Sequence, residues 1–170
     1  SKRITRTLRS GGAYRVRPVA FHPNNGDDSL FITPNGELRL ASSKALIVNQ
    51  NTGETLYAKS TGVATPIASV TKLMTAMVLL DQQLPMDEVI AVGVDDVDTL
   101  KGTSSRLRVG TQLSRHDMLQ LALMSSENRA ASALARTTPM GMPGFIAAMN
   151  AKAIELGMLH TRFVDPTGLN

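Results

Sequence analysis

The sequence contains no cysteine and no tryptophan, and aromatic residues make up only 4% of it. The absence of cysteine excludes disulfides, thiol nucleophiles and thiolate metal sites, and it leaves the redox state of the compartment open. No apolar run approaches the roughly 18 residues of a membrane span, so we expect none. The chain begins Ser1-Lys2-Arg3 without the apolar segment of a signal peptide, which predicts that any leader is already absent.

The 170 residues are 42% hydrophobic and 19% charged, which is typical of one soluble globular domain or most of one. Positive charge is concentrated at the N-terminus, where all the charged residues before Asp27 are basic: Lys2, Arg3, Arg6, Arg9, Arg15 and Arg17. Residues 1–36 lack a sustained helix or strand period. We therefore predict a basic, poorly ordered arm over residues 1–36 and a folded domain over residues 37–170.

The partner of this arm is not indicated by its composition. Its aromatic residues are few, Tyr14, Phe21 and Phe31, and it contains no recognisable nucleic-acid-binding module, so we expect no nucleic-acid partner. Attraction to an anionic envelope polymer or a membrane surface would fit the charge equally well. A solvated tail without a partner is the preferred interpretation.

The folded part is predicted to mix strands and helices. Residues 45–48 form a continuous apolar run, typical of a strand in a sheet covered on both faces. A turn over residues 49–54 leads to a second strand over residues 55–58, which predicts a β-hairpin. Residues 89–92 indicate a short strand, and the alternation with helices favours the α/β (α+β) class.

Apolar patterns indicate helices, three of them with end signals, and a further apolar run over residues 130–135 follows the second of these. Pro66 precedes the first, which carries no charge from Met74 to Leu80 and is therefore predicted to be buried. Ser114 and Asp117 form a capping box for a second helix. Residues 143–156 indicate a third helix, with Gly157 as its C-terminal stop.

Ser69 and Lys72 lie at the start of the first predicted helix, three positions apart. Residues at this spacing share one helix face, with Cβ atoms roughly 5–6 Å apart. A buried lysine has a lowered pKa and can accept the proton of a serine hydroxyl, which makes the serine a nucleophile. The motif alone favours the simpler interpretation of a capping serine and a solvated lysine.

Other polar groups are weaker candidates. Residues 125–128 separate two apolar helices and indicate either a simple break or the rim of a site. The acidic cluster Asp95, Asp96 and Asp98 lacks the glycine and the closing glutamate of a hard-cation loop, so solvated loop charges are predicted. The histidines are scattered and predict neither a metal site nor a catalytic triad: His22, His116 and His160.

Taken together, Ser69-x-x-Lys72 and Ser126-x-Asn128 resemble the first two motifs of the low-molecular-mass penicillin-binding proteins, the D-alanyl-D-alanine carboxypeptidase/endopeptidase family. The likeness extends in register over about residues 38–170, including residues 66–78, 104–107, 121–131, 149–153, 156–158 and 161–169. The Ser-Glu-Asn form of the second motif is most similar to the endopeptidase branch, since the carboxypeptidase branch more often has Ser-Gly-Asn.

The resemblance implies a β-lactamase/transpeptidase-like serine acyltransferase fold and a periplasmic peptidase of peptidoglycan stem peptides. Ser69 would form the acyl-enzyme, Lys72 would be its base, Ser126 would relay a proton to the leaving amine, and Asn128 would hold the substrate amide. β-Lactam antibiotics would acylate Ser69. Neither a metal nor a cofactor would be needed.

The family's third motif, Lys-Thr-Gly, lies on a strand downstream of a turn that corresponds to residues 165–168, and the 170 residues do not contain it. The resemblance therefore implies that the C-terminal sheet strands are missing from this chain. Either the chain is a fragment of a longer protein, truncated or cleaved near Asn170, or a companion C-terminal fragment carries Lys-Thr-Gly. The isolated chain is expected to be weak or inactive. The alternatives are a β-lactamase-like hydrolase and a non-catalytic peptidoglycan-binding protein.

Overall fold

A computed structural model of the chain describes residues 40–99, 102 and 104–170. The basic arm predicted for residues 1–36 lies outside the described residues. The chain divides into two units, Ser1–Ser60 and Thr61–Asn170. The described part of the first unit contains a β-hairpin, and the described helices belong to the second unit.

The hairpin of the first unit pairs β1 (Ala45–Val48) with β2 (Thr55–Lys59) in antiparallel register. The side chain of Asn49 accepts hydrogen bonds from the backbone N–H groups of the turn, and Gly53 adopts a φ of +73°. A positive φ is accessible to glycine without steric cost, so the turn has the residue that it requires. The predicted hairpin is confirmed.

The covered sheet predicted for this region is not observed. Leu46, Ile47 and Val48 are exposed, although their run has the composition of a buried strand. The hairpin is a two-stranded sheet, and no third strand pairs with it among the described residues. The faces of a sheet are buried only by other elements packed on them, and a two-stranded hairpin does not bury its own faces. This is why the burial prediction is wrong here.

The second unit is organised around a central helix, α3 (Asn128–Arg136), which contacts the three longer helices around it. These are α1 (Thr71–Asp81), α2 (Arg115–Met124) and α4 (Gly141–Glu155). Residues 130–135 of α3 are all buried, and four of the six are alanine. Small side chains allow the surrounding helices to approach the α3 backbone closely.

The helix α1 buries only one of its faces. Its buried residues include Lys72, Met74, Thr75 and Leu79, whereas a stripe of four apolar residues on and just before the helix is exposed: Val70, Leu73, Met77 and Leu80. We call these four residues the α1 apolar stripe. The predicted burial of the whole helix is therefore wrong for this face. An uncharged helix sequence does not show whether one face or both faces of the helix are buried.

A short antiparallel sheet leads directly into α2. The predicted strand β3 (Val89–Ala91) pairs with β4 (Gln112–Ser114), which the sequence did not indicate because three residues carry too little pattern. Ser114 ends β4 and caps α2, since its side chain accepts a hydrogen bond from the backbone N–H of Asp117 at 3.0 Å. The predicted cap is confirmed.

The acidic cluster differs from its prediction at Asp96. Asp95 is exposed, but Asp96 is only 4% exposed and is not a solvated loop charge. Its carboxylate accepts hydrogen bonds from Ser132 Oγ at 2.8 Å, from two guanidinium nitrogens of Arg136 at 2.7 and 3.0 Å, and from the backbone N–H of Gly93. The partners on α3 lie 36 and 40 positions away, beyond the reach of any local pattern.

We predict that Asp96→Ala destabilises the second unit by about 3 kcal/mol, because it leaves the guanidinium of Arg136 and the hydroxyl of Ser132 without their acceptor. This lies at the low end for a broken buried ion pair, since the Arg136 side chain is itself 31% exposed. Urea denaturation measures the free energy of unfolding. Asp95→Ala is the matched control and should stay within about 0.5 kcal/mol of the wild type; equal losses in both variants would contradict the assignment.

Candidate active site

Ser69 lies in a short 3₁₀ turn, Ala68–Val70, immediately before α1 begins at Thr71. The sequence placed Ser69 within the helix, and the structure places it in this preceding turn. Ala68 has a φ of +46°, a left-handed conformation that costs a residue with a side chain of the order of 1–2 kcal/mol. Strained backbone of this kind clusters at functional sites. The Ser69 side chain is held at the exposed end of a helix whose next turn is buried.

Lys72 is on the first turn of α1 and is only 3% exposed. Its amine lies 3.1 Å from Ser69 Oγ, 2.7 Å from Asn128 Oδ1 and 2.8 Å from the backbone carbonyl oxygen of Thr167. Two of these three oxygens, on Asn128 and Thr167, can only accept hydrogen bonds. In the neutral amine they therefore hold both N–H groups, and the lone pair is left facing the hydroxyl of Ser69.

The charge state of Lys72 is set by opposing effects. Burial lowers the pKa of its amine, and the carboxylates of Asp165 and Glu127 act against this by raising it. The net result is a pKa below the ordinary lysine value. A lowered pKa increases the fraction of neutral amine near physiological pH, which is the form that can take a proton.

Ser126 completes a chain of polar groups around Ser69. Its hydroxyl donates to Ser69 Oγ at 2.8 Å, and its own φ of +54° is again left-handed. The segment between α2 and α3 is therefore both a helix break and a site rim, the two interpretations that the sequence left open. Ser69 Oγ is in contact with Lys72 on one side and with Ser126 on the other.

The structure thus brings together all four residues that the resemblance singled out. Asn128 is the first residue of α3 and Ser126 lies two positions before it, so the end of one buried helix brings both to Ser69 and Lys72. The sequence separations of 56 and 57 positions are closed by the packing of α3 against α1. The chemical roles of the four residues stay predictions.

Sequence reasoning missed the carbonyl of Thr167 as a partner of the site. The run Asp165 to Gly168 was recognised as a tight turn, but nothing local indicates that one of its carbonyl oxygens reaches an amine 95 positions earlier. Of the histidines, His116 lies 3.6 Å from its neighbour Asp117, His160 lines the cavity beside the Ser69 turn, and His22 lies outside the described residues. Over residues 40–99, 102 and 104–170, no group of three or more His, Cys, Asp or Glu side chains could hold a metal ion.

The chain is similar to known proteins in both sequence and structure. The sequence model of the D-alanyl-D-alanine carboxypeptidase family (peptidase S11) matches residues 32–170. The chain is 56% identical over 131 residues to the D-alanyl-D-alanine endopeptidase of Pseudomonas aeruginosa, covering 77% of this chain and 42% of that protein. It is 49% identical over 152 residues to the D-alanyl-D-alanine endopeptidase of Escherichia coli K12, covering 89% and 49%.

A solved structure gives the same indication. The crystal structure of the Streptomyces K15 DD-transpeptidase superimposes with a TM-score of 0.71 at 29% identity, covering 79% of this chain and 55% of that one. The chain therefore spans about half the length of the proteins that it matches.

We predict that Lys72 titrates at lower pH than Lys152, because burial lowers the pKa of Lys72 whereas the hydrogen bonds that Lys152 donates to Asp81 and Glu155 raise the pKa of Lys152. Lysine labelled with ¹³C at Cε reports both titrations in one sample by NMR, and Lys72→Ala assigns the signal. Coincident midpoints for the two lysines would contradict the buried environment described for Lys72.

Proposed function

The chain belongs to the D-alanyl-D-alanine carboxypeptidase family, and from that premise we propose that the protein is a serine-type D-Ala-D-Ala peptidase acting on peptidoglycan stem peptides. The family resemblance carried by Ser69-x-x-Lys72 and Ser126-x-Asn128 is confirmed by the match over residues 32–170. The expected α/β fold of the transpeptidase type is confirmed by the likeness to the Streptomyces K15 DD-transpeptidase.

The observation that carries the proposal is the position of Ser69 Oγ between Lys72 Nζ at 3.1 Å and Ser126 Oγ at 2.8 Å. Neutral Lys72 takes the hydroxyl proton as Ser69 Oγ bonds to the carbonyl carbon of a D-alanine residue. The tetrahedral intermediate then collapses by breaking the C–N bond. The leaving amine receives a proton by way of Ser126, and water hydrolyses the remaining ester of Ser69.

We assign substrate binding to the space around Ser69 and Lys72. We place the substrate amide at Asn128, whose Oδ1 is already bound to Lys72. A cavity of about 670 Å³ borders the Ser69 turn and is lined by the preceding residues 61–68 and by residues 160–165. This volume falls in the range of small-ligand sites and can admit part of a peptide.

We infer a preference for cross-linked peptides from the two endopeptidase relatives described above. Both relatives quoted are endopeptidases, at 49% and 56% identity, and the second motif here is Ser126-Glu127-Asn128. We therefore place this protein in the endopeptidase branch. We also place it in the periplasm, where its substrate lies. Among the described residues, no helix has the length and apolar content to cross a membrane.

A strand carrying Lys-Thr-Gly is proposed to complete the site, since the 170 residues contain no such triplet. The α1 apolar stripe supports this proposal, because four exposed apolar residues in one row are suited to covering by a further layer. The partner is a companion C-terminal segment. Without it, the chain is expected to hydrolyse D-Ala-D-Ala peptides weakly or not at all, and to react with β-lactams slowly.

We predict that a penicillin adds one covalent adduct to the chain, at Ser69, when it is supplied with a segment that carries Lys-Thr-Gly. Denaturing intact mass before and after incubation measures the adduct, and peptide mapping locates it. Ser69→Ala should abolish the adduct, whereas Ser125→Ala, a neighbouring exposed serine, should retain it.

The same samples distinguish the alternative functions. Release of D-alanine-containing products from a cross-linked stem peptide supports the peptidase. Rapid turnover of a chromogenic β-lactam without a lasting adduct would indicate a β-lactamase-like hydrolase. An adduct that persists in Ser69→Ala would contradict the proposed nucleophile, and no adduct in the completed protein would favour a non-catalytic peptidoglycan-binding role.

A further inference from the structure

The turn at residues 165–168 is closed by a single carboxylate. Asp165 Oδ1 accepts three hydrogen bonds, from the backbone N–H of Thr167 at 2.6 Å, the hydroxyl of Thr167 at 2.6 Å and the backbone N–H of Gly168 at 2.7 Å. Asp165 Oδ2 accepts a fourth from the backbone N–H of Asn170 at 3.0 Å. Burial acts to raise the pKa of this carboxyl, but these hydrogen bonds outweigh it and the pKa lies below its ordinary value.

The closed turn presents two carbonyl oxygens to one face of α1. The carbonyl of Pro166 accepts from Thr75 Oγ1 at 2.7 Å, and the carbonyl of Thr167 accepts from Lys72 Nζ at 2.8 Å. Lys72 and Thr75 are three positions apart and therefore share that face of the helix. All four of these residues are buried, so the contacts hold the turn in one register on α1.

The same turn also lies directly against the backbone that carries the nucleophile. A Cβ atom added at Gly168 would lie 1.9 Å from the carbonyl oxygen of Ala68 and 2.8 Å from Thr71 Oγ1. Gly168 has a φ of +82°, which also favours glycine. Ala68 is the strained residue next to Ser69, so Gly168 supports the Ser69 turn by direct backbone contact.

We propose that Asp165 is a positioning residue of this site: through the turn that its carboxylate closes, it holds the Thr167 carbonyl on the Lys72 amine and Gly168 against the Ser69 turn. The inference rests on the proposed function, because it assigns a role in activating Ser69. It adds a residue outside both sequence motifs, from a segment 95 positions beyond Lys72.

The expected effect on Lys72 has a geometric part and an electrostatic part. The carbonyl of Thr167 holds one N–H of the amine; without it, the amine can rotate and present an N–H to Ser69 Oγ in place of its lone pair. The carboxylates that act on Lys72 are Asp165 and Glu127, and both raise its pKa. Removing the charge of Asp165 therefore lowers the pKa of Lys72.

Two substitutions separate these parts. Asp165→Asn keeps an Oδ1 acceptor for the three bonds that close the turn and removes the negative charge. Asp165→Ala removes both. Asp95→Asn, at an exposed position of the same unit, is the control for loss of one negative charge. Each variant is measured in the full chain for the Lys72 titration, and in the completed protein for the rate of acylation by a penicillin against pH.

We predict that Asp165→Asn moves the Lys72 midpoint and the acid limb of acylation to lower pH, with the plateau rate within about threefold of the wild type. The sign follows because acylation needs neutral Lys72, and a lower pKa makes the neutral form available at lower pH. Asp165→Ala should reduce the plateau about a hundredfold, as expected for a displaced reacting group. Asp95→Asn should change neither.

A purely structural role for Asp165 would lower thermal stability in both variants and leave the Lys72 midpoint where it is. That result, or wild-type acylation by Asp165→Ala, would overturn the inference. The proposed function fails separately: if wild-type Ser69 is never acylated while the midpoint still shifts in Asp165→Asn, the charge of Asp165 acts on Lys72 but the assigned chemistry is wrong.

A glycine pair tests the backbone contact independently. Gly168→Ala should reduce acylation at least about tenfold, because the added Cβ displaces the carbonyl of Ala68. Gly110→Ala is matched to it, since Gly110 also has a positive φ, +87°, but a Cβ there meets nothing within 4 Å. Similar acylation rates in the two alanine variants would contradict a role for the close approach. If Gly168→Ala does not fold, Gly168→Ser is the second variant. Failure of both Gly168 variants to fold, together with a folded Gly110→Ala, still locates the constraint at Ala68.

Discussion

The buried amine of Lys72 is the contact on which the arrangement of the site depends. A lysine nitrogen removed from water is costly unless oxygen atoms replace its hydration. Here three oxygens do so, from the Ser69 turn, from the first residue of α3 and from the turn at residues 165–168. One nitrogen thereby ties three distant segments together beside Ser69.

The surrounding packing makes this convergence possible. The alanines of α3 allow α1, α2 and α4 to approach one backbone closely, and the Asp96–Arg136 pair anchors the far end of α3. Because α3 is held along its length, the position of its N-terminus is fixed, and Asn128 is the first residue of α3. The left-handed residues Ala68 and Ser126 occur on the two segments that meet at Ser69 Oγ, so local strain is concentrated where the proposed reacting groups lie.

Burial and charge act on Lys72 in opposite directions. Burial alone favours the neutral base, whereas Asp165 and Glu127 favour the ammonium, which would otherwise be difficult to accommodate in the folded unit. A base that can both take and return a proton needs a pKa between these limits. The two carboxylates therefore complement the burial, and Asp165 couples this balance to the geometry of its turn.

The sequence by itself determined the local features, because they depend on neighbours along the chain: the hairpin at residues 45–59, the cap at Ser114, and the Ser69-x-x-Lys72 and Ser126-x-Asn128 motifs that carry the family. Only the tertiary structure decided the burial of Asp96, the exposure of the α1 apolar stripe and the contact of Thr167 with Lys72. Those features join residues 36 to 95 positions apart or depend on which faces are covered. Periodicity reports that a face is apolar, but the packing of the whole unit decides what lies against it.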